Sequence, residues 1–118
     1  MGHLSTHVLD TMHGCPAAGM AVELHRVSGN DAGLVSSLVL NDDGRSAAGP
    51  LLDAAAMATG RYRLVFAVAE YFRRRGVQLP EPPFIDVVQL DFGIADATGR
   101  YHVPLLVSPW WYSTYRGS

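Results

Sequence analysis

Turn signals recur at short intervals along this chain, and this regularity limits the folds that it can adopt. Clusters rich in Gly, Asn, Asp and Pro occupy residues 14–16, 28–33, 41–44 and 96–99. Such residues favour turns because they supply side-chain hydrogen bonds or backbone conformations that helices and strands avoid. Turns at roughly eight- to twelve-residue spacing are typical of small all-β domains, since they leave room for short strands but not for long helices.

Alternation of apolar and polar residues assigns most of the segments between turns to strands. A period of two places successive side chains on opposite faces of a sheet. This pattern predicts strands over residues 4–9, 19–28, 34–41, 61–69, 84–94, 100–108 and 110–117. Two of them have a clear apolar face, formed by Tyr62, Leu64, Phe66 and Val68 in one and by Tyr101, Val103, Leu105 and Val107 in the other.

Two segments do not fit this pattern. Residues 69–76 end in three arginines and a glycine, which predicts a short helix. Residues 46–59 are rich in alanine and contain one proline, which predicts mostly loop. We therefore expect an all-β fold: one domain over residues 1–118, an antiparallel, immunoglobulin-like β-sandwich of seven or eight strands with one short helix.

Composition argues against several classes of partner and compartment. The net charge of -2 offers no basic field for a phosphate backbone, so we expect no nucleic-acid partner. No apolar run reaches the roughly 18 residues of a membrane span, so we expect no membrane partner. The N-terminal residues lack signal-peptide features, and the single cysteine, Cys15, suits a reducing compartment. These observations make the cytoplasm the expected location.

Histidine and arginine are the residues that most readily suggest a catalytic or binding role. His7 falls on the first predicted strand, and His102 falls on a late strand, facing away from its apolar side. Each is either a solvent-facing side chain or a general acid or base. Arg45 follows the turn at 41–44 and is either a charged turn residue or an anchor for a planar anion. The sequence leaves both alternatives open.

Metal binding is not predicted. His7, Asp10 and His13 are spaced three apart, which would suit a helix. On a strand, however, His7 and Asp10 point to opposite faces, so the trio is a weak candidate for a metal site.

Three segments carry a resemblance to a known family. They are residues 4–10 with 14–17, residues 41–45, and residues 101–109 with 112–118. Together they resemble the transthyretin-like family over essentially the whole chain. The final Tyr-Arg-Gly-Ser at 115–118 is similar to the ending of its 5-hydroxyisourate hydrolases, and transthyretin, the hormone carrier, lacks it.

This resemblance implies a transthyretin-like sandwich that hydrolyses 5-hydroxyisourate to 2-oxo-4-hydroxy-4-carboxy-5-ureidoimidazoline in urate catabolism, without a cofactor. It implies a homotetramer, a dimer of dimers, with active sites in the channel between the dimers. His7, Arg45, His102 and Ser118 are implied as catalytic residues, and His7, Arg45 and Tyr115 as substrate-binding residues. Which histidine is the general base remains open.

Two other classes compete with a hydrolase. A carrier of a planar aromatic ligand in the tetramer channel would share the transthyretin fold, but its site should be lined mainly by apolar groups. An adhesion domain of the immunoglobulin type should have a buried cysteine pair, and only Cys15 is present. The titratable character of the implied site residues favours the hydrolase.

Overall fold

Two four-stranded sheets face each other in this protein. The computed structural model describes residues 1–117. The strand order is β2-β1-β7-β8 in one sheet, which we call the first sheet, and β4-β3-β5-β6 in the other, the second sheet. The elements are β1 His3–Asp10, β2 Cys15–Pro16, β3 Ala21–Ser28, β4 Asp31–Val39, β5 Gly60–Phe66, α1 Val68–Arg74, β6 Val88–Ile94, β7 Arg100–Val107 and β8 Tyr112–Thr114.

The core lies between the inward faces of the two sheets, as the alternating pattern predicts. Tyr62, Leu64 and Phe66 of β5 are buried, and all four predicted apolar residues of β7 are buried as well. Burial of such apolar faces is the main favourable contribution to folding. The predicted β-sandwich with one short helix is therefore confirmed, and residues 46–59 contribute only an isolated bridge, at Leu52.

One strand pair departs from the antiparallel prediction. β1 and β7 pair in parallel, from His3 opposite Arg100 to Asp10 opposite Val107. Antiparallel neighbours arise naturally from tight hairpins. β1 and β7 are instead joined through the whole second sheet, so no hairpin sets their direction.

Several strand boundaries differ from the predicted ones. The helix begins at Val68, so Val68 does not extend the face of β5. β4 begins at Asp31 because a two-residue turn follows Ser28. β6 begins only at Val88, and β8 covers only Tyr112–Thr114.

The late start of β8 has a local cause. The Ser108 hydroxyl oxygen accepts hydrogen bonds from the backbone N–H groups of Trp110 and Trp111, at 3.1 and 3.2 Å. Side-chain acceptors of this kind compete with strand pairing and favour a turn.

A buried carboxylate ties the first sheet to the helix. Asp10 Oδ2 accepts hydrogen bonds from His13 Nδ1 at 2.6 Å and from the Tyr71 hydroxyl at 2.8 Å. Burial raises the pKa of Asp10, but these bonds and one from the His13 backbone outweigh burial and leave the pKa below its usual range. His7 lies on the opposite face of β1, so His7, Asp10 and His13 do not converge.

The helical structure in residues 1–117 is too short to cross a membrane.

Candidate active site

The outward side of β1 and β7 carries a row of polar and titratable groups. Along β1 the buried residues alternate with His3, Ser5 and His7, which are only partly buried. The parallel register places Ser5 opposite His102 and His3 opposite Arg100. We call this surface, formed by His3, Ser5, His7, Arg100 and His102, the polar face.

The loop before Arg45 is attached to β1 beside His7. The Asn41 side-chain oxygen accepts hydrogen bonds from the backbone N–H groups of Asp43 and Arg45, at 2.9 and 3.0 Å, and so closes the turn. The Val8 N–H then donates to the Gly44 carbonyl at 3.0 Å. Arg45 is thereby placed next to the polar face.

Gly44 is required for this attachment. Its φ of +73° lies in the left-handed region, and a Cβ there would run into the Val8 carbonyl oxygen. A larger residue would therefore push the loop off β1.

We expect Gly44→Ala to destabilise the protein and to displace Arg45. The positive φ costs about 1 kcal/mol or more with a side chain, and a steric clash in a packed site adds about 1–3 kcal/mol. Gly29→Ala is the matched control, because Gly29 has φ +61° and an added Cβ there would have no neighbouring atom within 4 Å. Thermal unfolding followed by circular dichroism should show a larger fall in Tm for Gly44→Ala, and equal falls would contradict the tight contact.

Both histidines of the implied site have lowered pKa values. For His7, burial is the main cause and the positive charge of Arg45 is the second, opposed by a backbone hydrogen bond at Asp43. For His102, burial again leads, followed by the charges of Arg45, His7 and His3. Both rings are therefore neutral near pH 7, as a general base must be.

The His102 ring also has a side-chain partner, because its Nδ1 lies 2.8 Å from Ser5 Oγ. For His7, the hydrogen bond with the Asp43 backbone raises the pKa and so favours the protonated ring, but burial and the Arg45 charge outweigh it.

Two cavities adjoin the polar face. One has a volume of about 310 Å³ and lies between β1 and the loop that follows Gly44. Its lining residues are His3, Ser5 and Thr6 of β1 and Arg45, Ser46, Gly49 and Pro50 of the loop. The other, of about 660 Å³, is lined by Arg100, His102, Tyr115, Arg116 and Gly117. Small-molecule sites commonly have volumes of about 300–1,000 Å³. The Ser5–His102 hydrogen bond joins the linings of the two cavities.

The structure thus brings together most of the residues that the sequence implied. The charge of Arg45 lowers the pKa of both His7 and His102, and the charge of His7 lowers that of His102 as well. Tyr115 shares a cavity with His102 and is largely exposed. Ser118, the remaining implied catalytic residue, lies outside the described residues.

Sequence reasoning missed three members of the polar face, His3, Ser5 and Arg100. The signal was the alternation of His3 and Ser5 with His7 on β1, and of Arg100 with His102 on β7. The partner of Ser5 was not predictable, since it lies 97 positions away on a parallel strand.

The fold and the polar face together define a two-sheet β-sandwich that carries a cleft lined by titratable groups. Residues 4–117 match the HIUase/Transthyretin family, and the chain belongs to that family, as the resemblance implied. It is 54% identical over 118 residues to a 5-hydroxyisourate hydrolase of Pseudomonas aeruginosa, covering all of this chain and 93% of that protein.

Solved structures are also similar to this chain. The chain is similar to a crystal structure of (S)-allantoin synthase, with a TM-score of 0.93 and 50% identity, covering 99% of this chain and 44% of that one. It therefore spans less than half the length of that protein. It is also similar to the 5-hydroxyisourate hydrolase of Klebsiella pneumoniae, with a TM-score of 0.81 and 37% identity, covering the whole of both chains.

Proposed function

We propose that this protein is an enzyme that hydrolyses 5-hydroxyisourate to 2-oxo-4-hydroxy-4-carboxy-5-ureidoimidazoline. The observation that carries the proposal is the placement of Arg45 beside two histidines with lowered pKa values at a cleft on the polar face. Membership of the HIUase/Transthyretin family supports it, as do relatives named 5-hydroxyisourate hydrolase at 54% identity. A carrier is less well supported, because a carrier's site is expected to be mainly apolar.

The proposed reaction opens a ring C–N bond next to a carbonyl. A water oxygen attacks the carbonyl carbon and gives its proton to a neutral imidazole. The Arg45 guanidinium pairs with the planar substrate and stabilises the developing oxyanion through charge-assisted hydrogen bonds. The C–N bond then breaks, and the leaving nitrogen takes up the proton from the imidazolium. The carbon side becomes a carboxylic acid, which releases its proton to solvent and ends as a carboxylate. These steps balance without a cofactor.

We assign the general base to His7. Burial and the Arg45 charge lower the pKa of His7, so its ring is neutral and able to accept a proton near pH 7. His102 has Ser5 at Nδ1, and we propose that its Nε2 serves the substrate as a hydrogen-bonding or proton-transferring group. Tyr115, in the cavity of His102, is suited to hydrogen-bond or stack on the substrate ring. Ser118 is proposed to orient water or a histidine.

The test follows the ultraviolet absorbance of 5-hydroxyisourate made fresh from urate by urate oxidase. Because this compound decays spontaneously, each rate is compared with the rate without protein. Acceleration proportional to protein concentration, and unaffected by a chelator, is the expected result. A folded protein that gives no acceleration would overturn the proposal.

The pH dependence of the reaction should reveal the lowered pKa of the base. Because only the neutral imidazole accepts a proton, kcat/KM should fall as the pH falls through the pKa of the base. The pKa of His7 lies below the ordinary value of 6.5, so the midpoint of the acid limb should also lie below 6.5. A midpoint above 6.5 in kcat/KM measured across the acid range would contradict this electrostatic picture.

We also propose that residues 1–118 act as one domain and assemble as a homotetramer, a dimer of dimers. Trp110 and Trp111 are half exposed, and Trp110 packs against the exposed Phe84. Exposed aromatic patches commonly mark protein contacts. Light scattering coupled to size-exclusion chromatography should give four times the chain mass, and a monomer mass would rule out the assembly.

A further inference from the structure

The segment before Ser118 lies directly against the ring of His102. The Gly117 N–H donates a hydrogen bond to the His102 carbonyl at 2.7 Å. A Cβ at Gly117 would lie 2.8 Å from His102 Cδ2 and 3.2 Å from its Cβ. Since real Cβ contacts are longer than the first of these distances, only glycine allows the backbone to approach this closely.

Arg116 fastens the same segment to the neighbouring residue of β7. Its guanidinium carbon lies 4.2 Å from the centre of the Tyr101 ring, a distance typical of cation–π contacts. Its Nη2 also donates to the Arg100 carbonyl at 3.2 Å.

Tyr101 is a rigid support for this contact. Its side chain is buried, and its hydroxyl oxygen accepts hydrogen bonds from the backbone N–H groups of Ala95 and Asp96, at 3.0 and 3.1 Å.

His102 is therefore held from two sides. Ser5 Oγ contacts Nδ1, and the Gly117 backbone lies on the Cδ2 side of the ring, where an added Cβ would clash. Nδ1 and Cδ2 are the two ring atoms bonded to Cγ, so neither contact involves the opposite end of the imidazole, with Nε2. His102 also lines the cavity that it shares with Tyr115.

We propose that Arg116 and Gly117 form a clasp that positions His102 for catalysis. This inference rests on the proposed hydrolase function and adds two positioning residues to it. Neither residue takes part in the chemistry: Arg116 acts by anchoring the segment on Tyr101, and Gly117 acts by bringing the backbone against the ring. Displacing a catalytic group by about 1 Å can lower a rate by about 100-fold.

Gly117→Ala is the first test. The added methyl group should push the His102 ring away from its contact and lower kcat at least about tenfold, with a smaller change in KM. Gly33→Ala is the matched control, because the only atom near the added methyl group there is a backbone oxygen at 4.0 Å, on the second sheet. This control should retain kcat.

Arg116 is tested with two substitutions. Arg116→Gln removes the cation over Tyr101 and should lower kcat, whereas Arg116→Lys keeps a cation there and should restore part of the loss. Arg73→Gln is the control, since Arg73 pairs with the exposed Glu81 on the surface. Unfolding curves should show that all variants remain folded.

A readout independent of substrate separates positioning from general stability. The imidazole signals of His102, followed by NMR through a pH titration, should move in Gly117→Ala and Arg116→Gln and stay in place in both controls. Unchanged kcat and unchanged His102 signals in both variants would overturn the clasp. If the wild-type protein fails to accelerate 5-hydroxyisourate decay but the His102 signals move, the hydrolase proposal fails and the positioning contact stands.

Discussion

His7→Ala is expected to lower kcat by about 100- to 10,000-fold, the range typical of a lost general base. His7 is the proposed base because burial and the Arg45 charge lower its pKa and keep the ring neutral near pH 7. Its side chain is only partly buried, so its removal should leave the fold intact. Initial rates over a range of substrate concentrations, with circular dichroism to confirm folding, provide the measurement.

His25→Ala is the control for this variant. His25 also lies on a strand and is only partly buried, but it belongs to β3 in the second sheet and pairs with the exposed Glu23 at 2.9 Å. Its loss should leave kcat unchanged. If His7→Ala kept near-normal kcat, the base would have to be sought at His102 instead.

Arg45→Ala should cause a second large loss, of about 100- to 1,000-fold in kcat/KM, which is typical when a group that stabilises an oxyanion is removed. Arg45→Lys keeps the charge but lacks the planar pair of donors, so we expect it to recover only part of the activity. The Arg45 charge lowers the pKa of His7, second only to burial. The acid limb of kcat/KM should therefore move to higher pH in Arg45→Ala and remain close to its original position in Arg45→Lys.

Arg61→Ala serves as the comparison for Arg45. Arg61 is an exposed arginine on β5, in the second sheet. Its replacement should leave kcat/KM unchanged. An Arg45→Ala enzyme with normal kcat/KM and an unmoved acid limb would remove Arg45 from the proposed mechanism.

The sandwich could be predicted from local patterns because its strands obey simple alternation. Tyr101, Val103, Leu105 and Val107 are buried on one side of β7 while His102 faces outward, as the period of two requires. The helix at Val68–Arg74 was likewise indicated by its arginines and the following glycine. The implied site residues were found through the family resemblance, since a histidine on a strand does not by itself indicate chemistry.

What could not be predicted depends on contacts between distant segments. The parallel pairing of β1 with β7 leaves no local signature, and it alone places Ser5 against His102. Gly44 was recognisable as a turn residue, but its attachment to Val8 was not. The approach of Gly117 to His102 depends on the path of the chain after β8, which composition does not determine.

The parallel pair also has a consequence for how the protein is made. Ser5 leaves the ribosome before His102, which lies 97 positions later, and Gly117 follows later still. The two halves of the polar face can therefore meet only after translation has passed β7. A product whose translation stops before β7 would lack half of the face, and we expect it to be inactive.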